Sequence, residues 1–242
     1  MIRRGVGRVT VSSMTEAEWG RFRHLWGWGD DGTVEWVWRW GRRLSRLWVR
    51  IHVVGLEHVP ANGPTLVVAN HRSHADIAAL VAAIPRRVTF AATADLLGFP
   101  VTRFILETQG CPIVRHAGTD RAALVQSQRI LNLGRVLILF PEGGLAPDGP
   151  RPFEEGAAYL AVRSGVPVVP AGIAGTRDAW RHKTWWPIRS RQVVVAFGPA
   201  RTPVPGMARR AATRQLNREL ETDVGQLEDL ATRIRTRARR GR

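Results

Sequence analysis

The stretch Thr65-Leu-Val-Val-Ala-Asn-His-Arg-Ser-His-Ala-Asp76 decides the fold class of this chain. Its first five residues form a short, mostly apolar run, which is typical of a strand buried on both faces of a sheet. A polar turn follows, and residues 74–83 have the pattern of a helix. Catalytic side chains of α/β proteins commonly lie on such a turn between a strand and a helix.

The same alternation of short apolar runs and helical segments continues toward the C-terminus. We predict further helices and strands, namely helices at 120–133 and 154–164 and strands at 88–92, 112–115, 136–140, 166–170 and 193–197. This order predicts an α/β fold with a mostly parallel sheet flanked by helices, preceded by an amphipathic N-terminal helix. We expect an N-terminal segment at 1–51, the α/β domain at 52–206 and an Arg-rich helical tail at 207–242.

The composition suits one main globular domain, since 44% of the 242 residues are apolar. The single cysteine, Cys111, excludes a disulfide framework and any zinc site built from several cysteines. No run reaches about 18 apolar residues, and none follows the basic Arg3 and Arg4. We therefore expect neither a transmembrane helix nor a signal peptide, and an intracellular protein.

The net charge of +16 comes almost entirely from arginine, because Lys183 is the one lysine among 36 basic residues. A charge of this size draws a protein to nucleic acid, anionic lipid or phosphorylated small molecules. The Arg-rich end at 233–242 favours nucleic acid. The sequence has no helix-turn-helix signature, zinc spacing or RNP-type aromatic pattern, so we expect no specific nucleic-acid partner.

Residues 36–51 form a strongly amphipathic pattern, with apolar side chains on an arc of roughly 120°. The apolar members are Trp36, Trp40, Leu44, Leu47, Trp48 and Ile51, and the opposite arc carries Arg39, Arg42, Arg43, Arg46 and Arg50. Two interpretations remain open at this point. The helix lies on an anionic membrane, or it packs its apolar face on the protein's own core.

The polar turn after the first strand places His71 and Asp76 five residues apart. A carboxylate on one ring nitrogen fixes the imidazole tautomer, and the other nitrogen can then take a proton from a hydroxyl. The alternative is a capping box in which Ser73 and Asp76 close the start of the helix. We expect His74 to have a supporting role, and Cys111 to be a small buried residue rather than a nucleophile.

Four blocks, in order along the chain, resemble the glycerolipid (lysophospholipid) acyltransferase family. The first, Asn70-His-Arg-Ser-His-Ala-Asp76, matches the family's HxxxxD motif. The others are Gly110-Cys-Pro-Ile-Val-Arg115, Phe140-Pro-Glu-Gly143 with its sequel Phe153-Glu-Glu-Gly-Ala157, and Val166-Pro-Val-Val-Pro170. Together the blocks span about residues 53–200.

The resemblance implies transfer of an acyl group from a thioester, on CoA or acyl carrier protein, to a lysophospholipid hydroxyl. The expected acceptor is 1-acyl-glycerol-3-phosphate. By the same resemblance His71 is the general base and Asp76 orients it, while Arg115, Glu142 and Gly143 belong to the acceptor site. No metal or prosthetic group is implied.

The third block departs from the family pattern, because Gly144-Leu145 stands where the family has Thr-Arg. The arginine often assigned to the acceptor phosphate is therefore missing, and Arg151 is the candidate substitute. The acceptor thus remains open, with another lyso-lipid or a glycolipid as alternatives. A lipid- or nucleic-acid-binding protein without catalysis is the alternative from a different class.

A lipid substrate, together with seven of the ten tryptophans lying before residue 49, favours the membrane interpretation of the N-terminal helix. We predict membrane contact through five of its side chains, Trp36, Trp40, Trp48, Arg43 and Arg46. The protein is then expected to be peripheral on the cytoplasmic face of the cell membrane.

Overall fold

The computed structural model describes residues 31–48, 50–98, 100–114, 120–179 and 192–240. Its helices are α1 (Asp31–Trp48), α2 (Ala75–Ala83), α3 (Pro100–Gln109), α4 (Arg121–Asn132), α5 (Gly156–Ser164), α6 (Thr176–Ala179) and α7 (Arg209–Arg240). Its strands are β1 (Ile51–Val54), β2 (Thr65–Ala69), β3 (Val88–Phe90), β4 (Ala92–Thr93), β5 (Ile113–Val114), β6 (Val136–Leu139), β7 (Val168–Ala174) and β8 (Val193–Phe197).

Six strands form one sheet in the order β1-β8-β7-β2-β6-β3, and β4 pairs with β5 separately. Every neighbouring pair in the large sheet is parallel except β7 and β8. Helices cover both faces of this sheet. The predicted α/β fold with a mostly parallel sheet flanked by helices is therefore confirmed.

The alternating side chains of β2 show how both faces are buried. Leu66 and Val68 point into a cluster with side chains from α4, α5 and α7. Val67 and Ala69 point the other way, into a cluster that includes α2 and α3. All four side chains are fully buried, which explains why the strand reads as a continuous apolar run rather than an alternating one.

The C-terminal helix α7 lies directly against β7. A Cβ atom on Gly172 would come within 2.1 Å of the backbone carbon of Leu227, so only glycine permits this approach. Leu216, Leu220 and Val224 of the same helix are buried in the sheet-facing cluster. The predicted helical tail thus packs on the sheet, while the division at residues 51 and 206 stays a prediction.

Three predicted element bounds are corrected by strand pairing. The helix predicted over 36–51 ends at Trp48, and Ile51 instead opens β1 opposite Val193. The strand predicted at 88–92 splits, because Ala92 pairs with Ile113 outside the large sheet. The strand predicted to end at Pro170 continues to Ala174, because its residues 171–174 pair antiparallel with β8.

The helix α3 has no counterpart among the predicted elements. It spans Pro100–Gln109 and buries Leu106 in the same cluster as Val67. Within the ranges given above, no helix has the length and apolarity needed to cross a bilayer.

Candidate active site

The loops that follow β2 and β6 lie side by side at one edge of the sheet. Both strands are parallel and adjacent, so their carboxyl ends meet there, where ligands bind in open α/β sheets. The backbone N–H of Ala146 donates to the carbonyl of His71 at 2.8 Å and ties the two loops together. The first and third sequence blocks are therefore brought into contact.

His71 and Asp76 form a hydrogen-bonded pair in this position. The imidazole Nδ1 lies 3.0 Å from Asp76 Oδ2, with the carboxylate fully buried and the His71 side chain 11% exposed. The same carboxylate oxygen accepts the backbone N–H groups of Arg72 at 2.7 Å and Ser73 at 2.8 Å. Asp76 thus accepts hydrogen bonds from the backbone of the turn and also holds the imidazole. The same side chain therefore closes the start of the helix and orients His71, which were the two alternatives in the sequence.

The other imidazole nitrogen of His71, Nε2, has no hydrogen-bond partner among the residues that the structure describes. A carboxylate on Nδ1 places the proton there and leaves Nε2 as the acceptor. Phe140 stacks on the ring at a centroid distance of 4.0 Å and an interplanar angle of 15°. Ring position and tautomer are therefore both set by neighbours, which is the arrangement that a general base requires.

His74 contacts the same imidazole only through its edge, with ring centroids 6.5 Å apart. It is the N-cap residue of α2, and its side chain makes no capping hydrogen bond.

Asn70 fixes the start of the loop to the neighbouring strand. Its amide donates to the carbonyl of Ile173 at 3.0 Å and accepts the N–H of Ile173 at 2.7 Å. Beyond the last paired residues of β2 and β7, the Asn70 side chain thus replaces the backbone as hydrogen-bond partner of β7. The loop therefore leaves the sheet in a defined direction.

Arg72 is the functional-loop residue that sequence analysis missed. Its guanidinium lies between two carboxylates, Glu142 of the loop after β6 and Glu228 of α7. The side chain is 7% exposed. Since Glu142 is 70 and Glu228 is 156 residues away along the chain, no local pattern could reveal these partners.

The surroundings of Arg72 and Glu142 shift the pKa values of these two groups. Burial alone lowers the pKa of the Arg72 guanidinium, but the hydrogen bonds to Glu228 and Glu142 outweigh it and the pKa is raised. For Glu142, burial raises the pKa against the opposing effect of Arg72. The carboxylate of Glu142, predicted for the acceptor site, is thus occupied by Arg72.

The other predicted acceptor-site residues are spread over the adjoining segments. Arg115 lies outside the described residues. Gly143 adopts a φ of 71°, and a Cβ there would lie 2.6 Å from a carboxylate oxygen of Glu154, so glycine is needed at this turn. Arg151 is exposed in the same loop, where its side chain is accessible from solvent.

Cys111 does not have the environment of a nucleophile. It is buried on the face of the sheet that contains α2 and α3, and burial raises the pKa of its thiol to about 12. A thiolate is therefore disfavoured, as expected for a small core residue.

Helix α1 turns its apolar stripe away from the domain. Four large side chains, which we call the outward face, are exposed: Trp36 by 61%, Trp40 by 45%, Leu44 by 59% and Leu47 by 71%. The helix packs against α2, and its half-buried residues include Trp38 and Arg42. The interpretation in which this stripe packs on the core is therefore wrong for these four residues.

The other three residues predicted to contact a membrane lie in different surroundings, and their membrane contact stays a prediction. Arg43 lies beside the outward face, with its guanidinium 5.4 Å from the Trp40 ring centroid. Trp48 is half-buried against the core and does not join the outward face. Arg46 directs its Nε to the carbonyl of Ala82, in the last turn of α2, at 3.1 Å. A cation at that end of a helix is favourable, so Arg46 links α1 to the domain.

The chain is similar to known proteins in sequence and in fold. The model of the Acyltransferase family matches residues 50–174, more than half of the chain. The 1-acyl-sn-glycerol-3-phosphate acyltransferase alpha of Bos taurus is 29% identical over 187 residues, covering 72% of this chain and 65% of the relative. For the Homo sapiens protein of that name, the identity is 29% and the coverages are 72% and 66%.

The chain thus spans slightly less than two thirds of the length of these two relatives. Among solved structures, it is similar to the 1-acyl-sn-glycerophosphate (LPA) acyltransferase, PlsC, from Thermotoga maritima. The TM-score is 0.68 and the identity 24%, with 88% of each chain covered. At that identity the similarity concerns the fold.

Proposed function

The chain belongs to the acyltransferase family, as its four sequence blocks predicted, and on that premise we propose that it acylates a lysophospholipid hydroxyl. The proposed acceptor is 1-acyl-glycerol-3-phosphate, the substrate in the names of its relatives. The acyl donor is a thioester of CoA or acyl carrier protein. The observation that carries the proposal is the His71–Asp76 pair, with Nε2 of the imidazole unoccupied at the carboxyl end of β2.

In the proposed mechanism, His71 Nε2 takes the hydroxyl proton while the hydroxyl oxygen attacks the thioester carbonyl carbon. Asp76 holds the Nδ1–H and stabilises the imidazolium that forms. The tetrahedral intermediate then breaks its C–S bond, and the leaving thiolate takes the proton from the imidazolium. A positioned base of this kind contributes about 10²–10⁴-fold to the rate. No covalent enzyme intermediate is required.

Two arginines are proposed to bind the acceptor phosphate. Arg115 ends the second block, and Arg151 follows Gly144-Leu145 in the loop after β6. Guanidinium groups bind phosphate through paired hydrogen bonds, which makes arginine well suited to this role. The exposure of Arg151 supports its availability to a substrate.

We propose that the outward face inserts into the cytoplasmic surface of an anionic membrane. Apolar patches of this kind on a protein surface mark sites of contact with a membrane or another protein. Tryptophan side chains prefer the lipid headgroup region, and Arg43 next to Trp40 adds a charge attracted to anionic lipid. The same surface would deliver the enzyme to its lipid acceptor.

A donor–acceptor panel tests the activity. Labelled acyl-CoA and acyl-acyl carrier protein are each incubated with lysophosphatidate and with other lyso-lipid and glycolipid acceptors, using wild type and Asp76→Asn. We expect wild-type transfer to lysophosphatidate and a loss of at least about 100-fold in the variant. Asp229→Asn, at an exposed aspartate of α7, is the matched control and is expected to retain wild-type rates.

Transfer to a different acceptor alone would keep the mechanism and replace the substrate. No transfer from either donor to any acceptor, by folded protein that binds vesicles, would contradict the proposal in favour of lipid binding without catalysis.

A further inference from the structure

We propose that Glu228, on the C-terminal helix α7, is a positioning residue for acyl transfer, holding the loop that carries His71 and Asp76 through Arg72. The inference rests on the proposed function. It extends the active site to a helix that lies outside the four sequence blocks. The juxtaposition that supports it is a buried arginine, one residue after His71, clamped between carboxylates from two distant segments.

Glu228 holds the Arg72 guanidinium with a two-pronged contact. Nε donates to Oε1 at 2.8 Å and Nη2 donates to Oε2 at 2.6 Å. On the opposite side Nη1 donates to both oxygens of Glu142 and to the carbonyl of Ala146. Since a paired contact fixes the plane of the guanidinium as well as its distance, Glu228 determines an orientation that Glu142 does not set through Nη1 alone.

The position of Glu228 is itself fixed by the sheet. At Gly172 of β7 a Cβ atom would come within 2.2 Å of the backbone nitrogen of Glu228, so α7 rests on the strand at this point. The next residue of β7, Ile173, is bound by the Asn70 side chain through two hydrogen bonds. The loop is therefore anchored to β7 at Asn70 and to the helix seated on β7 at Arg72.

Arg72 transmits this anchoring to the reacting pair. Its backbone N–H donates to Asp76 Oδ2, the oxygen that also contacts Nδ1 of His71. A shift of the Arg72 backbone therefore moves an acceptor on which the imidazole depends. Misplacement of a catalytic group by about 1 Å can reduce a rate by about 10²-fold. Loss of the two-pronged contact should accordingly slow the chemical step without weakening substrate binding.

The experiment compares two carboxylates of the same helix. Glu228→Gln keeps the side-chain shape but removes the charge, and we expect kcat to fall by at least about 10-fold with KM unchanged for donor and acceptor. Asp223→Asn removes the carboxylate that pairs with the exposed Arg201 and is expected to stay within about twofold of wild type. Thermal unfolding verifies that both variants are folded.

Hydrogen exchange of the loop amides provides a readout that does not depend on activity. In Glu228→Gln the amides of Arg72 and Ser73, which bond Asp76, should exchange at least about 10-fold faster, and in Asp223→Asn they should not change. If wild type transfers no acyl group, the proposed function fails and the exchange result alone decides the positioning role.

Wild-type kcat together with wild-type amide exchange in folded Glu228→Gln would overturn the inference, as would an equal loss of kcat in Asp223→Asn. If Glu228→Gln does not fold, Arg72→Lys is the deciding variant, because it keeps the charge but not the two-pronged contact. A loss of kcat at constant KM supports the inference there, and wild-type kcat overturns it.

Discussion

The loop of residues 70–76 buries its polar side chains, whereas helix α1 exposes its apolar ones. In the loop, Asn70, Arg72 and Asp76 are each less than 8% exposed and hydrogen-bonded to protein. On α1, Trp36 and Leu47 are more than half exposed. Most buried polar groups in proteins are hydrogen-bonded, and large exposed apolar groups usually mark a contact surface.

The loop and the helix thus place their side chains in opposite ways. The loop fixes the geometry of a few reacting atoms through hydrogen bonds made within the protein. The helix has four large apolar side chains that no described residue covers, so they are accessible to a partner. Substitutions in the loop should therefore affect stability and chemistry together, while substitutions on the outward face should leave the stability of the fold unchanged.

Truncation of the buried arginine is expected to have the largest effect on stability. Arg72→Ala leaves Glu142 and Glu228 facing each other without a cation, which should lower the free energy of unfolding by about 3–5 kcal/mol. Urea denaturation measures the change. The matched control is Arg201→Ala, whose ion pair with Asp223 is solvent-exposed and worth less than about 1 kcal/mol. An equal decrease in the free energy of unfolding in the two variants would contradict the larger contribution expected from the buried arginine.

Substitutions on the outward face should weaken membrane binding and leave the free energy of unfolding almost unchanged. Replacing Trp36, Trp40 and Leu47 with Ser should weaken sedimentation with anionic vesicles by at least about tenfold, because apolar area no longer enters the lipid. The free energy of unfolding should change by no more than about 0.5 kcal/mol per substitution, as is usual for exposed sites.

The control for this experiment is Val125→Ser with Leu133→Ser, at exposed apolar positions of α4 and its C-cap. Vesicle binding of the control should equal that of wild type. Unchanged binding by the triple α1 variant would assign the outward face to a different kind of partner.

The smallest expected effect on stability comes from Asp178 of α6, which pairs with Arg235 and Arg239 at the Arg-rich end of α7. Burial alone raises the pKa of Asp178, but Arg235 and Arg239 outweigh it, so the pKa lies below the ordinary value. A lowered carboxyl pKa contributes stability above the ordinary aspartate range, and that contribution disappears as pH falls through the lowered value. Asp178 is half-exposed, so the contribution is below about 1 kcal/mol.

Asp178→Asn should therefore unfold slightly more easily than wild type at pH 7. Because Asp178 in wild type becomes protonated in acid, the two proteins should approach equal stability below about pH 4. Guanidinium denaturation at several pH values measures this convergence. If the stability difference between wild type and Asp178→Asn grew as the pH fell, the prediction would be contradicted.

The predictable part of the fold is the part that depends on local pattern. The strands at 65–69 and 193–197 have the predicted bounds because both are buried on two faces and read as continuous apolar runs. Ile51 continues the helical periodicity of α1, so the sequence predicts a helical residue there. It joins a strand only through pairing with Val193, which lies 142 positions later in the sequence and gives no local signal.

The candidate site also has one part that local sequence predicts and another that depends on distant segments. The motif indicated His71 and Asp76, and the structure brings them within 3.0 Å of each other. Their catalytic role stays a prediction. The contribution of Arg72 was not predictable, since its carboxylate partners come from two segments that the fold brings together.

The most direct test of the account compares two histidines of one loop in the same acyl-transfer assay. His71→Ala removes the imidazole that is bonded to Asp76 and stacked on Phe140, whereas His74→Ala removes its neighbour, which contacts that ring only at its edge. We expect His71→Ala to lose at least about 100-fold in kcat/KM and His74→Ala to stay within a few fold of wild type. Loss of activity in His74→Ala with activity retained in His71→Ala would contradict the account.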